Sequence, residues 1–174
     1  MNQSLSRLVA VVGPESTGKT TLAMELARIY HGAWLPEYAR EFLADTQYTQ
    51  EEVHIVAREQ LNRERDFVRA KPQIGSLDTD GVVLRVWFSE RFGHVPSYIE
   101  RHLELQAART YLLTFPDLPW VFDPQRESKS ELMRLFKIYE RLLADLGFDY
   151  AVVRGHGEAR TVCAVDALKL LDGN

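Results

Sequence analysis

Leu8-Val9-Ala10-Val11-Val12 is an unbroken apolar run, and after a short polar loop the chain continues as an amphipathic stretch from Thr21 to Tyr30. An apolar run this short, bounded by turn residues, predicts a strand buried on both faces; helical spacing behind it predicts a helix. The same alternation recurs along the chain. Strands are expected at Arg7–Val12, Ala33–Pro36, Gln73–Leu77, Thr110–Thr114 and Asp149–Val153. Helices are expected at Gly18–Tyr30, up to Ala70 with a break near Thr46–Thr49, and at Val82–Phe92, Ser97–Arg109, Ser128–Leu146 and Glu158–Leu171. Five short strands alternating with helices specify an α/β fold, a five-stranded parallel sheet with helices on both faces. Such sheets bind ligands beyond the carboxyl ends of their strands. The polar clusters of this chain fall at those ends. At 174 residues, without repeats or linkers, the expectation is one domain spanning 1–174.

The loop after the first strand is Gly13-Pro-Glu-Ser-Thr-Gly18-Lys19-Thr20, a Walker A phosphate loop in its strand–loop–helix setting. Gly13 and Gly18 let consecutive backbone N–H groups turn inward, and the following helix adds its positive end. Lys19 reaches the β- and γ-phosphates, and the Thr20 hydroxyl suits Mg²⁺. Gly13, Glu15, Ser16, Thr17, Gly18, Lys19, Thr20 and Thr21 are therefore the expected ATP-binding set, with Lys19 catalytic. The plainer alternative is a glycine-containing turn that matches by accident.

After the second strand come Pro36-Glu37-Tyr38-Ala39-Arg40. Glu37 could take a proton from an acceptor hydroxyl or hold a sugar diol, and Arg40 could neutralise the transferring phosphate. Helix capping with an exposed ion pair is the alternative for both. Asp78 ends the third strand where a carboxylate holds Mg²⁺, while Asp80 either faces substrate or caps the next helix. Beyond the fourth strand, residues 123–130 suit a lid, with Arg126 and Lys129 as candidates for charge stabilisation. The alternative there is a solvated loop with a Ser128-x-x-Glu131 capping box. Arg154 to Arg160 could lay an adenine against glycine backbone with Arg160 stacked on it. Tyr38, Trp87 and Trp120 could line a ring pocket, whereas Trp34 and Phe88 read as core. The charged stretch Glu51–Arg65 reads as a solvated helix face.

Composition narrows the classes. A net charge of −4 argues against a nucleic-acid clamp, and no apolar run approaches membrane-spanning length. The single cysteine, Cys163, excludes a disulfide framework and reads as a small buried residue of the last helix. The five histidines show no ligand spacing that would suggest zinc. The expectation is a cytoplasmic protein acting on small molecules, with no nucleic-acid or membrane partner; the sequence does not specify an oligomeric state.

Taken together, the phosphate loop through Leu22, Pro36-Glu-Tyr-Ala-Arg-Glu41, Asp78-Thr-Asp80, Val86-Trp-Phe-Ser89 and Tyr111-Leu-Leu resemble the ribosylnicotinamide kinase domain of NadR-type proteins. Pro119-Trp-Val121, Asp123 with Arg126, and the Gly155 to Arg160 loop extend the resemblance. It implies a P-loop NTPase fold with sheet order 2-3-1-4-5. It also implies transfer of the ATP γ-phosphate to the 5′-hydroxyl of nicotinamide riboside. Val83, Leu84, Glu59 and Pro124 depart from that family's pattern on the acceptor and lid sides. The chain lacks a His-x-Gly-His nucleotidyltransferase signature. A kinase for another nucleoside or a nucleoside monophosphate, and a non-catalytic ATP-binding regulatory module, are the alternatives.

Overall fold

In the computed structural model, residues 7–43, 48–118 and 129–172 are described. Five parallel strands form one sheet: β1 (Arg7–Val12), β2 (Ala33–Leu35), β3 (Ile74–Asp78), β4 (Thr110–Thr114) and β5 (Tyr150–Val153), in the order β2-β3-β1-β4-β5. The order matches the one the resemblance implied. β1 lies at the centre because nearly all of it is apolar. Its register pairs Val11 with Asp78 of β3 and Val12 with Leu113 of β4, so the ends of three strands meet at the phosphate loop.

The side-chain period of two along a strand divides the core. Val9 and Val11 pack with α1 (Lys19–Ile29) and α7 (Gly157–Asp172), through Leu22, Leu26, Ala164 and Leu168. Ala10 and Val12 face the opposite layer, built from α3 (Gln50–Arg69), α4 (Gly81–Phe92), α5 (Ser97–Leu105) and α6 (Lys129–Asp145). A short α2 (Ala39–Phe42) follows β2. Cys163 stands partly buried on α7 against the first of these layers.

Local chemistry sets the helix limits. Thr49 and Glu52 form a capping box at the start of α3, with Glu52 N–H donating to Thr49 Oγ1 at 3.2 Å and Thr49 N–H to Glu52 Oε2 at 2.7 Å. Gly93, at φ 71°, closes α4. α5 stops at Leu105, four residues short of the sequence expectation. Gln106 is extended there, and its side chain donates to the Tyr111 hydroxyl at 2.8 Å. The Ser128–Glu131 capping box lies outside the described residues. No helix among them is long and apolar enough to cross a membrane.

Candidate active site

The phosphate loop is braced from below. Gly13 takes φ 139°, and a Cβ there would come within 2.5 Å of Thr114 Oγ1, so the close approach of loop and β4 requires glycine. Thr17 Oγ1 donates to Pro14 O at 2.7 Å and lies 2.6 Å from Thr114 Oγ1, which reaches Val12 O at 3.1 Å. These bonds consume the buried hydroxyl of Thr17, which is therefore a loop brace. Ser16 is held at φ 57° and Gly18 at φ 78°, with Gly18 at the start of α1. Glu15, Ser16 and Thr21 are exposed around the loop.

Lys19 is 8% exposed, and its Nζ donates to Pro14 O at 2.8 Å across the loop. Burial lowers its pKa, while Glu37, Asp78 and Glu15 act against that shift. Asp78 is fully buried at the end of β3, and neither carboxylate oxygen has a hydrogen-bond partner; the buried Thr20 Oγ1 has none either. Burial pushes the Asp78 carboxyl up. The Thr20 hydroxyl, facing it outside good hydrogen-bond geometry, pulls it down, as does Lys19. Unpartnered buried oxygens of a hydroxyl and a carboxylate are the hard donors that Mg²⁺ prefers, with phosphate and water completing its shell. The residues present thus fit the ion. No cluster of three or more acidic, histidine or cysteine ligands occurs among the described residues.

Glu37 follows β2 and pairs with Arg40, Nε to Oε2 at 2.9 Å. The Glu37 side chain is 19% exposed and the Arg40 side chain 63%. The pair exists, as the plainer alternative held, yet it stands beside the phosphate loop, and Glu37 acts on both Lys19 and Asp78. What holds Glu37 there is Gln60. Its Oε1 accepts from Tyr38 N–H at 2.7 Å, and its Nε2 lies 3.5 Å from both Pro36 O and Thr79 O. One buried amide therefore brackets the segment after β2 and the turn after β3.

A cleft of about 430 Å³ opens beside the loop, with Gly13, Pro14, Glu15, Lys19 and Glu37 on one side. Trp87, Val83, Val86 and Glu90 of α4, Tyr48, Arg91 and Arg134 form much of the opposite wall. Trp87 Nε1 donates to Tyr48 Oη at 3.0 Å, and the two rings meet edge to face at 5.4 Å. Glu90 pairs with Arg134 at 2.6 Å, and Arg91 stands over the Tyr48 ring at 5.7 Å. A second groove, between α1 and α7, is lined by Thr21, Gly157, Glu158 and Thr161.

Several expectations need correction. Asp80 does not face the cleft: it is fully buried, caps α4 through Val82 N–H at 2.9 Å, and accepts from Tyr111 Oη at 2.7 Å. Arg109 also reaches it at 3.4 Å. Tyr38 does not join Trp87; its ring lies under Arg63 at 4.2 Å and against Phe42. Arg160 is not open to a stacked adenine. It is 4% exposed and donates to Val153 O, Phe115 O and Asp117 Oδ1, tying the ends of β4 and β5 together. The Glu51–Arg65 stretch is not wholly solvated, since Gln60 and Glu64 are each 1% exposed. Trp120, Arg126 and most of the lid segment lie outside the described residues, and Lys129 belongs to the first turn of α6.

Sequence reasoning missed Tyr48, Glu90, Arg134 and Gln60. For Gln60 a signal existed: Val53, Val56, Gln60, Glu64 and Phe67 recur at helical spacing on the stripe that holds the α3 apolar residues.

An AAA domain family model matches residues 8–160. The trifunctional NAD biosynthesis/regulator protein NadR of Salmonella typhimurium (strain LT2) is 26% identical over 149 residues, 80% of this chain and 35% of that protein. NadR of Escherichia coli (strain K12) is similar to the same degree. The chain thus spans about a third of the length of the curated relatives it matches. A NadR protein crystallised in complex with NR superposes with a TM-score of 0.80 at 25% identity, over 98% of this chain and 52% of that one. Thymidylate kinase from Ehrlichia chaffeensis, 14% identical with a TM-score of 0.64 over 95% of this chain and 98% of its own, shares the fold. The matching stretch runs from β1 through the phosphate loop and Asp78 to the start of α7, and the chain belongs to this AAA domain family of P-loop proteins.

Proposed function

We propose that the chain is a small-molecule kinase that transfers the γ-phosphate of ATP to the 5′-hydroxyl of nicotinamide riboside, giving nicotinamide mononucleotide. The observation that carries this reading is the convergence of Lys19, Asp78 and Glu37 at one end of the aromatic cleft. A triphosphate held by the loop ends at Lys19, and the cleft lined by Glu37 begins there. The backbone N–H groups of 13–20 cradle the phosphates, and Lys19 exchanges its bond to Pro14 O for phosphate oxygens. Thr20 and Asp78 would hold Mg²⁺, which supplies charge neutralisation to the phosphates. Glu37, braced by Gln60, orients the acceptor hydroxyl and takes its proton. Because positioning and electrostatics supply most of the acceleration in phosphoryl transfer, a strong base is unnecessary. The groove lined by Thr21 and Gly157 suits the adenosine.

Nicotinamide riboside carries a cationic pyridinium. The faces of Trp87 and Tyr48 and the carboxylates of Glu37 and Glu90 suit such a ring by cation–π and Coulomb attraction, about 1–2 kcal/mol per well-placed aromatic. The similarity to NadR, one form of which was crystallised with NR, supports the same acceptor. A second reading rests on Arg91 and Arg134, two cations in the cleft that could grip a monophosphate acceptor. Measuring ADP release with nicotinamide riboside, common nucleosides and nucleoside monophosphates separates the two. The proposal expects nicotinamide riboside to give the highest kcat/KM; preference for a monophosphate would transfer the assignment to the second reading.

A further inference from the structure

A larger groove, about 660 Å³, lies between α3 and α5 and shares no residue with the cleft beside the phosphate loop. Its composition runs against that of the chain. The protein carries a net charge of −4, yet this groove gathers five arginines: Arg58, Arg65, Arg69, Arg101 and Arg109. Among the described residues Arg58, Arg65 and Arg101 form no ion pair, while Arg69 meets Asp66 at 3.5 Å. The one carboxylate in the lining, Glu64, is already engaged by Arg109 at 2.7 Å and His102 at 3.0 Å. The walls also offer an apolar and aromatic surface, with Tyr98 beneath Arg58 and Leu105 72% exposed.

Arg109 is the second observation. Its side chain is 1% exposed on the groove floor, and its Nη2 is buried without a hydrogen-bond partner. A buried guanidinium nitrogen left unpaired is costly, and an anion's oxygen would satisfy it. Unneutralised arginines above it suit phosphate, whose oxygens accept the paired N–H groups of a guanidinium. The volume lies within the usual range for small-molecule sites.

We propose that the groove between α3 and α5 binds a small phosphate-bearing anion of nucleotide size, at a site separate from the catalytic cleft. The phosphate sits on the arginine rim and its planar or apolar part lies against Tyr98 and Leu105. The site is wired to the phosphate loop's end of the sheet. Arg109 bridges Glu64 and Asp80, Asp80 is two residues from Asp78, and Glu64 lies one helical turn from Gln60, which brackets Glu37. An anion that draws on Arg109 weakens its hold on Asp80.

The test uses binding alone and so stands apart from the kinase reading. Inorganic tripolyphosphate is titrated calorimetrically into Lys19→Ala protein, in which the phosphate loop is disabled. Arg65→Glu with Arg101→Glu in that background is expected to weaken binding by at least about tenfold, with an unchanged melting temperature. Lys137→Glu with Arg141→Glu, an equal charge reversal on exposed α6 positions, is expected to leave it unchanged. Equal affinity in the groove variant, or equal loss in the α6 control, overturns the site. Tighter binding of an oligoribonucleotide than of tripolyphosphate overturns the small-anion class.

Discussion

Asp78 and Asp80 are two residues apart, both fully buried, at the end of the same strand, and they behave as opposites. Asp80 spends both oxygens: Oδ1 on Val82 N–H, Oδ2 on Tyr111 and Arg109. Asp78 spends neither. Thr79, at φ 85°, turns the chain between them, so one carboxylate stays near the phosphate loop and the other turns to Tyr111 and Arg109. Burying a carboxylate without partners is expensive, and evolution tolerates it where a cation or substrate completes the site. A satisfied buried carboxylate holds structure together; the unsatisfied one beside Lys19 and Thr20 is the one the proposed mechanism uses.

Lys19→Ala removes the cation facing Asp78 and is expected to cut turnover by at least about a thousandfold, roughly 4 kcal/mol of barrier. Near-normal turnover would end the phosphate-loop assignment. Asp78→Ala is expected to lose about a hundredfold or more in turnover while the melting temperature holds or rises, because an unpaired buried charge is removed. Asp80→Ala, the same substitution two residues on, strands Val82 N–H, the Tyr111 hydroxyl and Arg109. It is expected to cost about 3 kcal/mol of stability, or roughly 6–12 °C in Tm. If thermal melts showed the two variants equally destabilised, the distinction between them would fail.

A pH series sharpens the same contrast. Burial raises the Asp78 pKa above its ordinary 3.8, so the fold favours the neutral acid. Its contribution to stability is full below the unfolded value and is lost as pH rises through the folded one. The Tm advantage of Asp78→Ala over wild type at neutral pH should therefore close as pH falls through that raised value. An advantage that grows on acidification contradicts the sign. The smallest expected effect concerns the neighbouring acid. Glu37→Gln should lower kcat by more than threefold, about 0.65 kcal/mol, with ATP affinity nearly intact; a smaller change removes Glu37 from the proton-accepting role.

Much of the scaffold was legible in the sequence because the physics there is local. β1 and β4 fall where their apolar runs begin and end, and the phosphate loop follows from glycine positions and one lysine. The acceptor side was less legible because it depends on which way side chains point across the sheet. Asp80 and Asp78 carry the same chemistry in the same motif, and only the Thr79 turn separates their directions. Gln60 and Glu64 sit in a run so charged that its average hides their place on the buried stripe of α3. Arg160 reads as a loop cation until Asp117 and two strand-end carbonyls draw it inward. Tyr48 lies just ahead of α3 and meets Trp87 through a fold contact that no spacing encodes.

In the proposed mechanism the phosphate loop, Asp78 and Glu37 form one site that moves phosphate to a nucleoside hydroxyl. ³¹P NMR of ATP, magnesium and nicotinamide riboside with a catalytic amount of the protein tests it directly. ADP and a new monophosphate-ester signal should grow in equal amounts, with little free phosphate. ADP accompanied only by free phosphate, or an unchanged ATP spectrum under saturating acceptor, would contradict it.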